Sequence, residues 1–179
     1  MILPLIQKRR SIRKYRSKPV ESDKIHALVE AALRSPSSMG YHPWEFIVVE
    51  DPGLLAKLST AKPHGSAFLK NAALGIVVCA DPERSAVWVE DASIACIFIQ
   101  LTAESLGLGS CWIQIRERMH DEAKTAEAYI TEVLNIPKKL KVEAMIAIGY
   151  PDEQKAPHPK EGLQFGKVHQ NLYGKPFKR

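Results

Sequence analysis

One stretch constrains the fold more than any other: from Trp88 to Leu106 the chain has helical spacing but no polar face. Val89, Ala92, Ile94, Ala95, Ile97, Phe98, Ile99, Leu101 and Ala103 fall on every side of a 3.6-residue period. A helix of this kind is stable in water only when neighbours, or a second copy of the chain, cover it all round. With 179 residues there is chain enough for one core and too little for two. The expectation is therefore a single domain, residues 1–179, built about this helix.

The remaining sequence alternates between the two periods. Helices are predicted from Pro4 to Lys8, from an N-cap at Ser22-Asp23 to a stop before Pro36, from Leu54 to Thr60, and from Asp121 to Leu134. Strands are predicted at Trp44–Val49, Leu74–Ala80, Ser110–Ile115 and Lys141–Tyr150. Leu74–Ala80 is apolar without alternation, which suits a strand buried on both faces. Helices interleaved with strands imply a mixed layer structure. Residues 151–179 carry four prolines and little periodicity, yet hold Leu163, Phe165, Val168, Leu172, Tyr173 and Phe177. They read as an extended arm laid over something, a partner subunit above all.

Composition removes several classes. Hydrophobic residues at 45% with charged residues at 25% describe a water-soluble globular chain, and no apolar run is long enough to span a bilayer. The short run Ile2–Ile6 has its charges behind it, the wrong order for a secretory signal. Cys79, Cys96 and Cys111 form no CxxC and have no histidine at ligand spacing, so they read as reduced core thiols in a cytoplasmic protein, with no metal site.

Three stretches can carry chemistry. Six of the nine residues in KRRSIRKYR (Lys8–Arg16) are cationic. Arg9, Arg10 and Arg13, with Ser11 between them, can hold a phosphate through bidentate contacts, but a solvated basic face or a nucleic-acid patch gives the same composition. No helix-turn-helix, zinc or aromatic RNA-binding pattern supports nucleic acid. In SPSSMGYHPW (Ser35–Trp44), Ser37, Ser38, Gly40 and His42 can present hydroxyls, amides and a ring nitrogen to a flat polar ligand, or simply connect helix to strand. In GLGSCW (Gly107–Trp112), Gly109 either ends a helix or lets a cofactor approach the backbone. It precedes a strand, so it is not a dinucleotide fingerprint. Elsewhere, His64, His120 and His158 read as surface residues, Cys111 as an inert thiol, and Glu90-Asp91 as charge favourable to a helix N-terminus.

Taken in order, these stretches resemble the nitroreductase family of FMN-dependent oxidoreductases over essentially the whole chain. RRSIRKY with Pro19-Val20, SPSSMGYHPWEFIVV, EDASIA (Glu90–Ala95), GLGSCW, IPKKLKV (Ile136–Val142) and AIGYP (Ala147–Pro151) carry the likeness. The resemblance implies an α+β fold with a central mixed, mainly antiparallel sheet flanked by helices. It also implies an interlocked homodimer with FMN bound non-covalently at its interface. On that pattern Arg9, Arg10, Ser11 and Arg13 hold the phosphate, ribityl chain and pyrimidine edge. Pro36, Ser37, Ser38, Gly40 and His42 meet the flavin from the second subunit, and Gly109 and Ser110 lie near its reactive N5 edge. Lys160 or Lys167 returns to the phosphate, while Lys8, Lys14 and Arg16 are solvated. The family often has Asn and Gln where this chain has Gly40 and His42, which alters the polar contacts available there. The implied activity is ping-pong: NADH or NADPH passes hydride to the flavin and leaves, and a nitroaromatic, quinone or similar acceptor takes the electrons. No acid–base side chain is required, the flavin supplying the chemistry and Arg13 electrostatic support. An FMN-binding carrier or sensor without turnover is the alternative.

Overall fold

The computed structural model describes residues 1–178. Its elements run α1 (Ile2–Lys8), α2 (Ser22–Leu33), β1 (Trp44–Val49), α3 (Pro52–Ser59), β2 (Leu74–Ala80), α4 (Trp88–Ser105), β3 (Gly109–Gln114), α5 (Ala126–Leu134) and β4 (Lys141–Gly149). The strands form one sheet in the order β1-β2-β4-β3, and every ladder is antiparallel. Parallel pairing enters, among the described residues, as an isolated bridge between Ser11 and Ser110. The architecture is the α+β one expected.

The two central strands are β2 and β4, which explains their apolar runs: every residue of β2 is buried, and every residue of β4 from Val142 onward. On one face Val77, Cys79, Met145 and Ala147 pack with Leu55 and Leu58 of α3 and Ile130 of α5. On the other, Leu74, Ile76, Val78, Ile146 and Ile148 pack with Leu28 of α2 and Cys96 and Ile99 of α4. Each fully buried Val, Leu, Ile or Met among them contributes about 1.5–3 kcal/mol. Between Val78 and Cys79 the ladder passes over Glu143. That bulge inverts the alternation, so Val142 joins the α3/α5 core while Ala144, two residues on, faces α4.

Among the boundaries that differ from expectation, three have a local reason. Helix α5 begins at Ala126, not Asp121, because the Asp121 carboxylate accepts from the amides of Ala123 (2.8 Å) and Lys124 (2.7 Å) and closes a turn of its own. Thr125 then caps the helix, accepting from Ala128 N. Ser22 lies inside α2, whose N-cap is Glu21 without a side-chain cap. Helix α3 starts two residues early, at Pro52, because Asp51 caps it through Leu54 N.

Three apolar surfaces stay uncovered within one chain. Helix α4 leaves Ile94, Ile97 and Phe98 between 38% and 45% exposed. Helix α1 buries no residue and touches α4 through a 3.2 Å ion pair of Lys8 with Glu104. From Pro151 to Lys178 no residue is buried, and Tyr173 is 94% exposed. Among the described residues no helix is long and apolar enough to cross a membrane, and no cluster of His, Cys, Asp or Glu is arranged to hold a metal ion. The three cysteines are buried and free. Burial pushes the Cys79 thiol up to about 12 and raises those of Cys96 and Cys111.

Candidate functional site

After α1 the basic segment runs extended across the end of β3 and β4. Ile12 N donates to Ser110 O (3.0 Å), Arg16 N to Tyr150 O (2.9 Å), and Asp152 N to Lys14 O (2.9 Å). Glycines make this passage possible. A Cβ on Gly109 would lie 2.8 Å from Cβ and Cγ2 of Ile12, and one on Gly149 would lie 3.0 Å from Cδ1 of Tyr15. The sequence offered Gly109 as a place for a cofactor to come close; the space its missing side chain leaves is filled by Ile12. Tyr15 is buried and donates to Ile12 O (2.6 Å), with burial raising its phenol well above the ordinary range. The segment is thus locked to the sheet by buried apolar side chains at 12 and 15, leaving the side chains between them outside.

The cations have separate fates. Lys8 pairs with Glu104, and Arg16 donates through Nε to Pro151 O (3.1 Å) and lies 3.9 Å from Asp152, yet both side chains stay largely in solvent, 70% and 68% exposed. Arg10 donates to Ala156 O. Arg13 sits over the Phe68 ring at 5.7 Å, while its backbone amide donates to Glu153 (2.6 Å). Among the described residues, neither Arg9 nor Arg13 has a carboxylate within ion-pair distance of its guanidinium. Extended geometry also divides them. Arg10 lines a cavity of about 630 Å³ with Gly109 and Lys155, whereas Arg13 lines one of about 740 Å³ with Lys14, Lys18 and Lys70.

Three cations near this segment went unread in the sequence. Lys155 reaches back to donate to Ser11 O (2.7 Å) and pairs with Glu153 at 3.0 Å. Lys160 and Lys167, expected to return to the phosphate, lie within one chain on exposed turns of the arm, Lys160 beside Phe165 and Phe177. Lys62 is held below its ordinary range by burial and then by the neighbouring Arg118 guanidinium. Among the described residues neither Lys62 nor Arg118 has an ion-pair partner. The Cys111 thiol is raised by burial, an effect opposed by Arg13, Ser11, Lys155 and Arg9. This end of β3 therefore carries an excess of positive charge, and its donor set (Arg9, Arg13, Lys155, the Ser11 hydroxyl) suits a phosphorylated ligand. His120, expected at the surface, is only partly exposed: its ring stacks on Tyr129 at 4.1 Å.

The Ser35–Pro43 loop is the second half of the candidate site. Met39 (φ 52°), Gly40 (φ 69°) and His42 (φ 45°) are all left-handed, a costly combination for two residues with side chains. Two side chains hold it. Ser37 Oγ accepts from His42 N (2.9 Å) and lies 3.4 Å from His42 Nδ1. Asp91, on α4, accepts from Ser38 N (2.8 Å) with one oxygen and from Ser85 Oγ (2.9 Å) with the other. Asp91, read from sequence as a charge on the helix dipole, is 2% exposed and is a latch on this loop. The His42 ring lies 5.1 Å from that of Trp44, whose buried Nε1 has no partner among the described residues.

Segment and loop occupy opposite corners of the sheet. The loop enters β1 at Trp44, on one edge, and the segment pairs with β3 at Ser110, on the other edge and at the opposite end of the strands. Three strand spacings and a strand's length separate them, about 14 Å across and about 20 Å along, or roughly 25 Å.

Comparison with known proteins gives this arrangement a family. The Nitroreductase family model matches residues 6–62 and 55–150, and the chain belongs to that family. An FMN-dependent nitroreductase of Clostridium difficile R20291 superposes with a TM-score of 0.93 at 50% identity, over 94% of this chain and 98% of its own. A protein of Archaeoglobus fulgidus whose name pairs NADH dehydrogenase with NAD(P)H nitroreductase is 39% identical over 157 residues, 86% of this chain and 87% of its own length. An FMN reductase [NAD(P)H] of Bacillus subtilis is 27% identical, over 84% of this chain and 66% of its own.

Proposed function

We propose that the chain is an FMN-dependent NAD(P)H oxidoreductase acting as a homodimer, each flavin lying between the basic segment of one copy and the Ser35–Pro43 loop of the other. The observation that carries this reading is the separation of the two half-sites. At roughly 25 Å they cannot serve one ligand within a chain, yet each is built with ligand-facing donors. A second copy brings them together, and the uncovered apolar faces of α1, α4 and the arm supply the surface for it. The arm, residues 151–178, would lie across that second copy.

Within each site Arg9, Arg13, Lys155 and the Ser11 hydroxyl hold the phosphate and pyrimidine ends, with Arg10 tying the arm beside them. Ser110 and Gly109 form the wall on the β3 side. Pro36, Ser37, Ser38, Gly40 and His42 close the site from the second copy, with His42 offering a ring nitrogen. When bound, FMN supplies the redox chemistry, accepting hydride from NADH or NADPH and delivering electrons to a nitroaromatic, quinone or similar small acceptor. Arg13, held over the Phe68 ring, contributes a positive charge that favours negative charge on the flavin ring. The three reduced, buried thiols accord with a cytoplasmic location.

Titrating the protein with FMN while measuring mass by sedimentation tests this reading. Two FMN bound per dimer, with affinity lost on dilution to monomers, is expected. Full-affinity binding to a monomer would overturn the shared site.

A further inference from the structure

We infer that Asp91 is a positioning residue of the flavin site, acting across the dimer interface by fixing the loop that one copy presents to the other. The inference rests on the shared site proposed above. Asp91 never reaches that site; it works through Ser38. Its two oxygens join three segments of chain, since Ser38 N belongs to the loop, Ser85 Oγ to the turn before α4, and Asp91 itself to the first turn of α4. Among the described residues no lysine or arginine pairs with it, although it is 2% exposed. A buried carboxylate without a cation is expensive, and here only two donors and the helix N-terminus offset the cost.

What those donors secure is the entry to a strained turn. Ser38 is followed directly by two left-handed residues and, after Tyr41, by a third. Met39, on that turn, is 82% exposed, so packing within the chain does not hold it there. Such backbone persists only where its surroundings over-determine it. Ser37 ties the turn to itself through His42 N; Asp91 ties it to the rigid helix. Without Asp91 the turn can keep its internal bond and still lose its place relative to the sheet. Ser37, Ser38, Gly40 and His42 would then be presented to the other copy in many positions.

The geometry distinguishes charge from hydrogen bonding. In Asp91→Asn the amide oxygen can still accept from Ser38 N while the NH2 donates to Ser85 Oγ, so the latch is preserved. In Asp91→Leu the volume is kept and both bonds are lost. Loss of one such buried bond corresponds to at least about tenfold in an equilibrium constant. The expected result is FMN affinity weakened at least about tenfold in Asp91→Leu and restored to within about threefold of the parent in Asp91→Asn, both judged on dimeric protein with parental circular dichroism.

Because the effect is exerted in trans, two defective copies should complement. Differently tagged Asp91→Leu and Arg13→Ala chains, co-expressed and purified as the mixed dimer, would place both defects in one site and leave the other intact. The mixed dimer should bind one FMN at parental affinity, although each homodimer binds poorly. Parental FMN affinity in Asp91→Leu would overturn the inference while leaving the shared site standing. If Asp91→Leu does not fold as a homodimer, Ser85→Ala with Ser38→Pro, which removes the same two donors, takes its place in the mixed dimer. Poor binding by both homodimers with no recovery in the mixed dimer would overturn the trans role; the same failure in a mixed dimer of Arg13→Ala with Ser37→Ala would mean that the shared site itself is wrong.

Discussion

Replacing Gly109 with alanine should move the basic segment off the sheet, and the structure says by what means. The new Cβ would lie 2.8 Å from two atoms of Ile12 and 2.9 Å from a third, well inside contact distance. Ile12 is 8% exposed and belongs to the α3/α5 core, so it has no open direction in which to retreat. Overpacking of this kind costs about 1–3 kcal/mol, or about 2–12 °C in Tm for a chain of this length. The backbone must also shift, because Ile12 N bonds Ser110 O, one residue from the clash. FMN affinity should therefore fall with stability. The decisive assay is a double-mutant cycle by urea denaturation at fixed protein concentration. Ile12→Ala removes two of the three clashing atoms and leaves Cβ, so Gly109→Ala should cost at least about 1 kcal/mol less in that background. Additivity within about 0.5 kcal/mol would refute the claim that this glycine exists to admit Ile12.

Further predictions concern charge. Arg13→Ala should weaken FMN binding about 10- to 100-fold, the scale of a charge-assisted bond, and far more than Lys14→Ala; isothermal titration with equal losses would mean that the segment presents its other face. Lys155→Met should reduce FMN affinity more than either Lys160→Ala or Lys167→Ala, since Lys155 already touches Ser11 O; the reverse order in the same titration would return the role to the outer arm. The Glu153 carboxylate is held below the ordinary carboxylate range by the Arg13 amide first and then by Lys155. Its contribution is present above the ordinary carboxylate range and is lost as pH falls through the lowered folded value. Melting curves should show the parent above Glu153→Gln at neutral pH and the gap closing as pH falls through and below the ordinary carboxylate range; a gap independent of pH would show that the charge is irrelevant.

The sequence carried the elements well because their signals are one-dimensional. The run at Leu74–Ala80 suits a strand buried on both faces, and an all-round apolar helix has to be covered. Local side-chain competition was harder to see: Asp121 spends its carboxylate on its own turn, so the amphipathic pattern from there to Ala126 never becomes helix. The candidate site was legible as three stretches of composition but not as distances. Nothing in the order of residues says that Ile12 fills the place beside Gly109, or that Asp91 and Ser38, far apart in the chain, share a hydrogen bond. Lys155 was missed because the arm has no period to read, and its contact with Ser11 O appears only once Asp152 N and Lys14 O draw the two segments together.

Anaerobic mixing of the FMN-loaded protein with NADH and with NADPH, followed by addition of a quinone or nitroaromatic, tests the functional reading most directly. Bleaching of the bound flavin by at least one nicotinamide, and return of its colour with the acceptor, is the result expected of an FMN-dependent NAD(P)H oxidoreductase. A bound flavin that neither nicotinamide reduces would contradict it.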